Sequence, residues 1–147
     1  MLIESRPLTD PEVAALAAAG ERELGDIAGG AGRDVGTRGD TCWLTVVLAG
    51  RAVACGGMRV RDDDTGELAQ LYVRPAYRRR GVARQLVAAL EELAYQRGYS
   101  VVRVEAGSHL PAAALFRACG YELVADDGAP GGRPYRACFA KRLPVPA

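Results

Sequence analysis

Apolar residues along this chain return with two different periods, and the switches between them mark out its elements. Leu2 to Leu8 predicts a short first strand. Thr9-Asp10-Pro11-Glu12 then carries two helix-start signals, a capping-box spacing from Thr9 to Glu12 and a proline near the first turn. Val13, Leu16 and the surrounding alanines form an apolar stripe that predicts a helix to about Leu24. Between Gly25 and Gly39 there are six glycines and little periodicity, the pattern of a mobile loop with at most one broken helical turn. Thr41 to Leu48, rich in Trp, Val, Thr and Leu, reads as a strand. Ala49-Gly50-Arg51 is a tight turn, and Ala52 to Arg61 returns as the hairpin partner. Asp62 to Gly66 makes a further turn into a strand over Glu67 to Val73.

Pro75 stops that strand, and Gly81 opens the strongest helical pattern in the chain. Val82, Leu86, Val87, Leu90, Leu93 and Ala94 share one face, with Gly98 following as a C-terminal cap. Ser100 to Ala106 predicts a strand, and Pro111 to Cys119 a short helix capped by Gly120. Tyr121 to Ala125 and Tyr135 to Leu143 read as a closing strand pair joined by the loop Asp126–Pro134. No internal repeat or linker interrupts this order. An antiparallel run followed by a strand–helix–strand unit predicts an α/β (α+β) fold: three layers, with a mixed, mostly antiparallel sheet between helices.

Composition narrows the class. The 147 residues suit a single domain, and a net charge of +1 exerts no global pull on nucleic acid or anionic lipid. Cys42, Cys55, Cys119 and Cys138 form no C-x-x-C pair, and His109 is the single histidine, so neither a zinc site nor any other metal is expected. The cysteines read as free thiols of a reducing compartment. The N-terminus lacks a long apolar run, and no window of about 18 apolar residues exists, so a soluble, cytoplasmic protein is expected.

Basic chemistry is local. Arg78, Arg79, Arg80 and Arg84 fall within seven residues, around Gly81 and at the start of the strong helix. A helix N-terminus presents unpaired N–H groups and partial positive charge, and Gly81 and Ala83 let a ligand come close. A pyrophosphate suits such a loop. Alone, an arginine-rich turn is as readily a solvated surface turn.

Context decides in favour of the ligand site. Glu67-Leu68-Ala69-Gln70-Leu71-Tyr72-Val73-Arg74-Pro75, followed by Arg78-Arg79-Arg80-Gly81-Val82-Ala83, resembles the central motif of the GNAT superfamily of N-acetyltransferases, (Gln/Arg)-x-x-Gly-x-(Gly/Ala). Ala114-Leu115-Phe116-Arg117-Ala118-Cys119-Gly120-Tyr121 is similar to its second motif, and the tail Cys138–Leu143 to its closing strand. The resemblance covers about Thr41 to Leu143. It implies an acetyl-CoA-dependent enzyme acting on a primary amine by direct attack in a ternary complex. By resemblance, Leu71, Tyr72 and Val73 pair with the pantetheine arm, and Arg78, Arg79, Arg80, Gly81, Val82, Ala83 and Arg84 surround the pyrophosphate. His109 and Phe116 would flank the thioester.

Two positions carry open alternatives. Glu67 stands eleven residues before Arg78, the spacing at which histone-type members place a general base. An ammonium of pKa about 10.4 is almost fully protonated at pH 7, so a base has work to do. A solvent-facing carboxylate at a strand start is the equal alternative. Phe116 stands where the family has the tyrosine that protonates the leaving thiolate, so Tyr72, Tyr121, Tyr135 or water must serve, or the thiolate leaves unaided. His109 reads better as a capping or exposed imidazole than as a catalyst. Tyr135 and Arg133 fall in a loop that borders the acceptor in the family, and Trp43 reads as core. Near-neutral charge favours a small-molecule amine; a protein N-terminus or lysine is the alternative acceptor, and a non-catalytic acyl-CoA-binding domain the alternative of another class. Dimers are common among such enzymes.

Overall fold

The computed structural model describes residues 1–28, 41–107, 110–124 and 137–144. The chain runs β1 (Leu2–Ser5), α1 (Pro11–Ala28), β2 (Cys42–Leu48), β3 (Arg51–Asp62), β4 (Thr65–Val73), α2 (Val82–Gln96), β5 (Val101–Gly107), α3 (Leu110–Ala118), β6 (Glu122–Val124) and β7 (Ala137–Arg142). The strands form one sheet in the order β1-β2-β3-β4-β5-β7-β6. Only β4 and β5 run parallel; every other neighbouring pair is antiparallel. This is the mixed α/β architecture that the order of elements predicts.

Helices cover both faces because the strands bury both. On one face Val13, Leu16 and Ala17 of α1 pack with Trp43, Ala52 and Cys55. On the other, Val82, Leu86, Val87, Leu90 and Ala94 of α2 join Phe116 of α3 over Val53, Leu68, Val102, Val104 and Phe139. β3 is an interior strand and is buried from Ala52 to Met58. Its small side chains let both helices sit close. A Cβ at Gly56 would stand 2.9 Å from Leu71 Cδ1 and 3.0 Å from Leu90 Cδ1, so this position has no room for a side chain.

Asp10, not Thr9, starts α1. Its Oδ1 accepts the N–H groups of Glu12 (2.9 Å) and Val13 (3.3 Å), with Pro11 opening the helix behind it. The capping box expected from Thr9 to Glu12 does not form, because Glu12 is used elsewhere. Its carboxylate accepts from Arg6 at 3.1 Å and from the Ala52 N–H at 2.9 Å, which ties α1 to β3. These contacts hold the Glu12 carboxyl below its ordinary range, the Ala52 bond contributing most. The first strand is also shorter than expected, ending at Ser5; Arg6 N still bonds to Trp43 O, and Pro7, which has no N–H to give, ends the pairing. The expected loop over Gly25–Gly39 begins later, since α1 runs on to Ala28; one interior glycine costs a helix only about 1 kcal/mol. Residues 29–40 lie outside the described residues.

Both later helices end as predicted, on glycines in the left-handed region. Gly98 (φ 84°) follows α2 and Gly120 (φ 92°) follows α3. In each case the next N–H bonds back across the cap, Tyr99 to Ala94 O (3.0 Å) and Tyr121 to Phe116 O (2.9 Å). The last strand, β7, is inserted between β5 and β6, and Lys141 fastens it there. Its Nζ donates to Glu91 Oε1 of α2 (3.0 Å) and to Cys119 O after α3 (2.9 Å). All four cysteines are free thiols, Cys55 and Cys138 buried and Cys42 and Cys119 half-buried. Among the described residues no helix is long and apolar enough to cross a membrane, and no group of His, Cys, Asp and Glu is placed to hold a metal ion.

The cap assignment is directly testable. Asp10→Ala should cost about 1 kcal/mol, which lowers Tm by about 3–5 °C, whereas Thr9→Ala should leave it unchanged. Thermal unfolding of the two variants followed by circular dichroism gives the comparison. Burial pushes the Cys55 thiol up to about 12 from 9.0. The folded chain therefore holds a proton that the unfolded chain loses above pH 9, so this contribution to stability is present below pH 9 and falls as pH rises towards 12. Cys55→Ala should flatten the fall of Tm with pH across that window.

Candidate active site

The parallel ladder between β4 and β5 is short. It runs in register from Thr65↔Val101 to Leu68↔Val104 and then ends, although β4 continues to Val73 and β5 to Gly107. The sheet therefore opens at its centre. The cause lies on the other edge of β4. Gly57 pairs with Ala69 but Cys55 with Tyr72, so Gln70 and Leu71 together stand opposite Gly56. Such a bulge bends its strand and sharpens its twist. Gln70 adopts φ 49°, outside the usual range for a residue with a side chain, and its amide is held by Glu21 of α1 at 2.8 Å.

At the end of β4, Arg74 N bonds to Val53 O at 2.9 Å. Because peptide groups alternate along a strand, those of Val73 point away from β3 and into the opening. The chain then makes a 3-10 turn over Pro75–Tyr77, passes through Arg79 (φ 65°) and Gly81 (φ 79°), and enters α2. No side chain caps α2, and the first helical bond is Gln85 N to Gly81 O. The N–H groups of Val82, Ala83 and Arg84 are left facing outward, at the positive end of a 15-residue helix. Nothing lies within 4 Å of a Cβ built on Gly81, so that position demands glycine for its backbone angle rather than for space.

The arginines around this loop divide. Arg79 and Arg80 are exposed beside the helix start, Arg80 lying over the Tyr77 ring at 5.5 Å. Arg84 donates to Ala118 O at the end of α3 (3.2 Å). Arg78 turns back towards α1: Nε donates to Val73 O (2.9 Å), Nη2 meets Glu23 Oε2 (2.7 Å), and the guanidinium lies over the Tyr72 ring at 5.5 Å.

Side-chain alternation places Leu68 and Val73 on the α2 face and Glu67 and Tyr72 on the α1 face. Tyr72 is half-buried against α1, with its ring alongside Gly20. Glu67 is neither solvent-facing nor free. Its side chain is 13% exposed; Oε1 meets Arg59 at 2.6 Å and Oε2 meets Arg61 at 3.1 Å. Each oxygen thus meets one guanidinium and keeps a second lone pair. Phe116 is buried in the main core, edge-on to Tyr121 with ring centroids 5.5 Å apart. The Tyr121 phenol is pushed far above its usual range by burial and by Glu91. His109, Tyr135 and Arg133 lie outside the described residues. The backbone of Leu71 to Val73 and the start of α2 thus border one opening, with Glu67 on the face opposite α2 and the Arg78 side chain turned away towards α1. The bulge at Gln70, the Arg59–Glu67–Arg61 cluster and the Glu23–Arg78 pair have no counterpart in the sequence reading.

The sheet thus opens beside an uncapped helix start, which suits an anionic ligand. Residues 11–121 match the acetyltransferase (GNAT) family, and the chain belongs to it; the protein is an acetyl-CoA-dependent N-acetyltransferase. Among solved structures it is similar to a Klebsiella pneumoniae protein that carries the name acyl-CoA N-acyltransferase (28% identity, 97% of each chain, TM-score 0.84). An aminoglycoside 6'-N-acetyltransferase complexed with coenzyme A shares the fold at 15% identity over 100% of both chains, TM-score 0.77. So does the ribosomal-protein-alanine N-acetyltransferase of Brucella melitensis, at 21% identity over 97% of this chain and 100% of that one, TM-score 0.72. A search of the curated proteins finds no match.

Gly81 gives the sharpest test of the anion site. Gly81→Asn, which tolerates the left-handed angle, should keep coenzyme A affinity within about threefold. Gly81→Glu places a carboxylate among the outward N–H groups and should abolish binding. Isothermal titration with coenzyme A on both variants decides it.

Proposed function

We propose that this protein, working as one domain, acetylates the primary amine of a small molecule by direct attack on acetyl-CoA in a ternary complex. The observation that carries the reading is the opening between β4 and β5 after Leu68 and Val104, next to the uncapped start of α2. The backbone of Leu71 and Val73 would hold the pantetheine arm, and the N–H groups from Arg79 to Arg84 the pyrophosphate. The aminoglycoside enzyme of the same fold, complexed with coenzyme A, supports the choice of donor and is one precedent for a small acceptor. Since α2 lies on one face, the acceptor would approach from the other, where Glu67 and Tyr72 stand. Holding amine and thioester in line supplies much of the rate, and strand N–H groups can polarise the thioester carbonyl.

Two side chains receive particular roles. Tyr72, whose hydroxyl shares the α1 face with Glu67, is the proposed proton donor to the leaving thiolate, with Tyr135 as the second candidate. Glu67, with both oxygens committed to arginines, anchors the acceptor face, and the amine proton passes to water.

Thiol release from acetyl-CoA across a panel of amino acids, polyamines, aminoglycosides, a peptide N-terminus and a lysine peptide tests the function. Turnover should be confined to small amines; turnover with the peptides alone would overturn the acceptor class. Glu67→Gln should lower kcat/KM by less than about tenfold, equally at pH 7 and pH 9. A loss of roughly 10²–10⁴-fold that shrinks at high pH would instead make Glu67 the base.

A further inference from the structure

Arg78 occupies the first position of the phosphate-loop motif, yet its guanidinium is committed away from the α2 start. Nε fills the Val73 carbonyl, the last β4 acceptor on the side of the opening. Nη2 bonds Glu23 of α1 at 2.7 Å, and the plane covers Tyr72. Glu21, two residues earlier in α1, holds the bulge residue Gln70. One helix thus grips both backbone irregularities of the opening, the bulge at its start and the loop at its end.

We propose that Arg78 is a positioning residue, latched by Glu23, that fixes the Val73 backbone and the Tyr72 ring at the end of β4 and does not ligate phosphate. The fork of an arginine is required for this, because one group must satisfy a carbonyl, a carboxylate and a ring at once. An arginine can also fork onto a phosphate, but here Nε and Nη2 are already bonded within the protein. The inference rests on the proposed place of the pyrophosphate at residues 79–84.

The two roles diverge in Arg78→Lys, Glu23→Gln and the double variant. Coenzyme A affinity is read by calorimetry and kcat at saturating acetyl-CoA with the best amine of the panel. The latch predicts coenzyme A affinity within about twofold of wild type in all three. It also predicts a shared fall in kcat of about three- to fivefold, the scale of a partly exposed ion pair, with the double variant no worse than either single. Normal kcat in Arg78→Lys, losses that multiply in the double variant, or a coenzyme A defect in Arg78→Lys that Glu23→Gln does not share would each overturn the latch. A wild-type protein that bound no coenzyme A would overturn the cofactor reading, and the inference with it.

Discussion

A hydrogen-bonded sheet has no room inside it for a ligand unless two neighbouring strands stop bonding. Here β4 and β5 part after Leu68 and Val104, and the rest of the site follows from that break. Unpaired edges in a sheet interior are costly, so the chain has to leave the bonding groups there for another partner. It also has to hold the strands apart without unravelling. β4 manages this by remaining paired with β3 on both sides of one extra residue at Gln70 and Leu71.

That compromise sets demands on residues that never meet a substrate. β3 is small-sided because two helices press on it, and Gly56 is bare because Leu71 and Leu90 fill its space. Leu71, within the bulge, therefore packs the sheet against α2, the helix whose uncapped N-terminus is the proposed anion site. From the opposite face, α1 is tied to β3 by Glu12 and to β4 by Glu21. Geometry at the opening is thus referred to both layers.

The elements were legible because each has a local cause. Apolar spacing gave α2, alternation with Gly and Asp turns gave β2 to β4, and Gly98 and Gly120 gave the helix ends. The proposed phosphate loop stands out for the same reason: arginines, Gly81 and a helix start are contiguous in sequence. The contacts without a local signal depend on register. Counting back from Asp62↔Thr65 places Val60 opposite Glu67, whereas an irregularity between Val60 and Asp62 brings Arg59 there instead. One residue of slip decides whether Glu67 meets a valine or a guanidinium, and no local pattern encodes it. The Thr9 capping box failed similarly, since Glu12 was recruited by Ala52, forty positions away.

The insertion of β7 between β5 and β6 has a consequence for synthesis. The chain is made from its N-terminus, so α2, β5, α3 and β6 all exist before the strand that joins them. Until residues 137–142 leave the ribosome, β5 keeps an open edge and β6 has no strand to bond to. A nascent chain stalled just short of Ala137 would therefore carry β1 to β5 as a sheet with a sticky margin, the kind of edge that chaperones cover and that aggregation exploits.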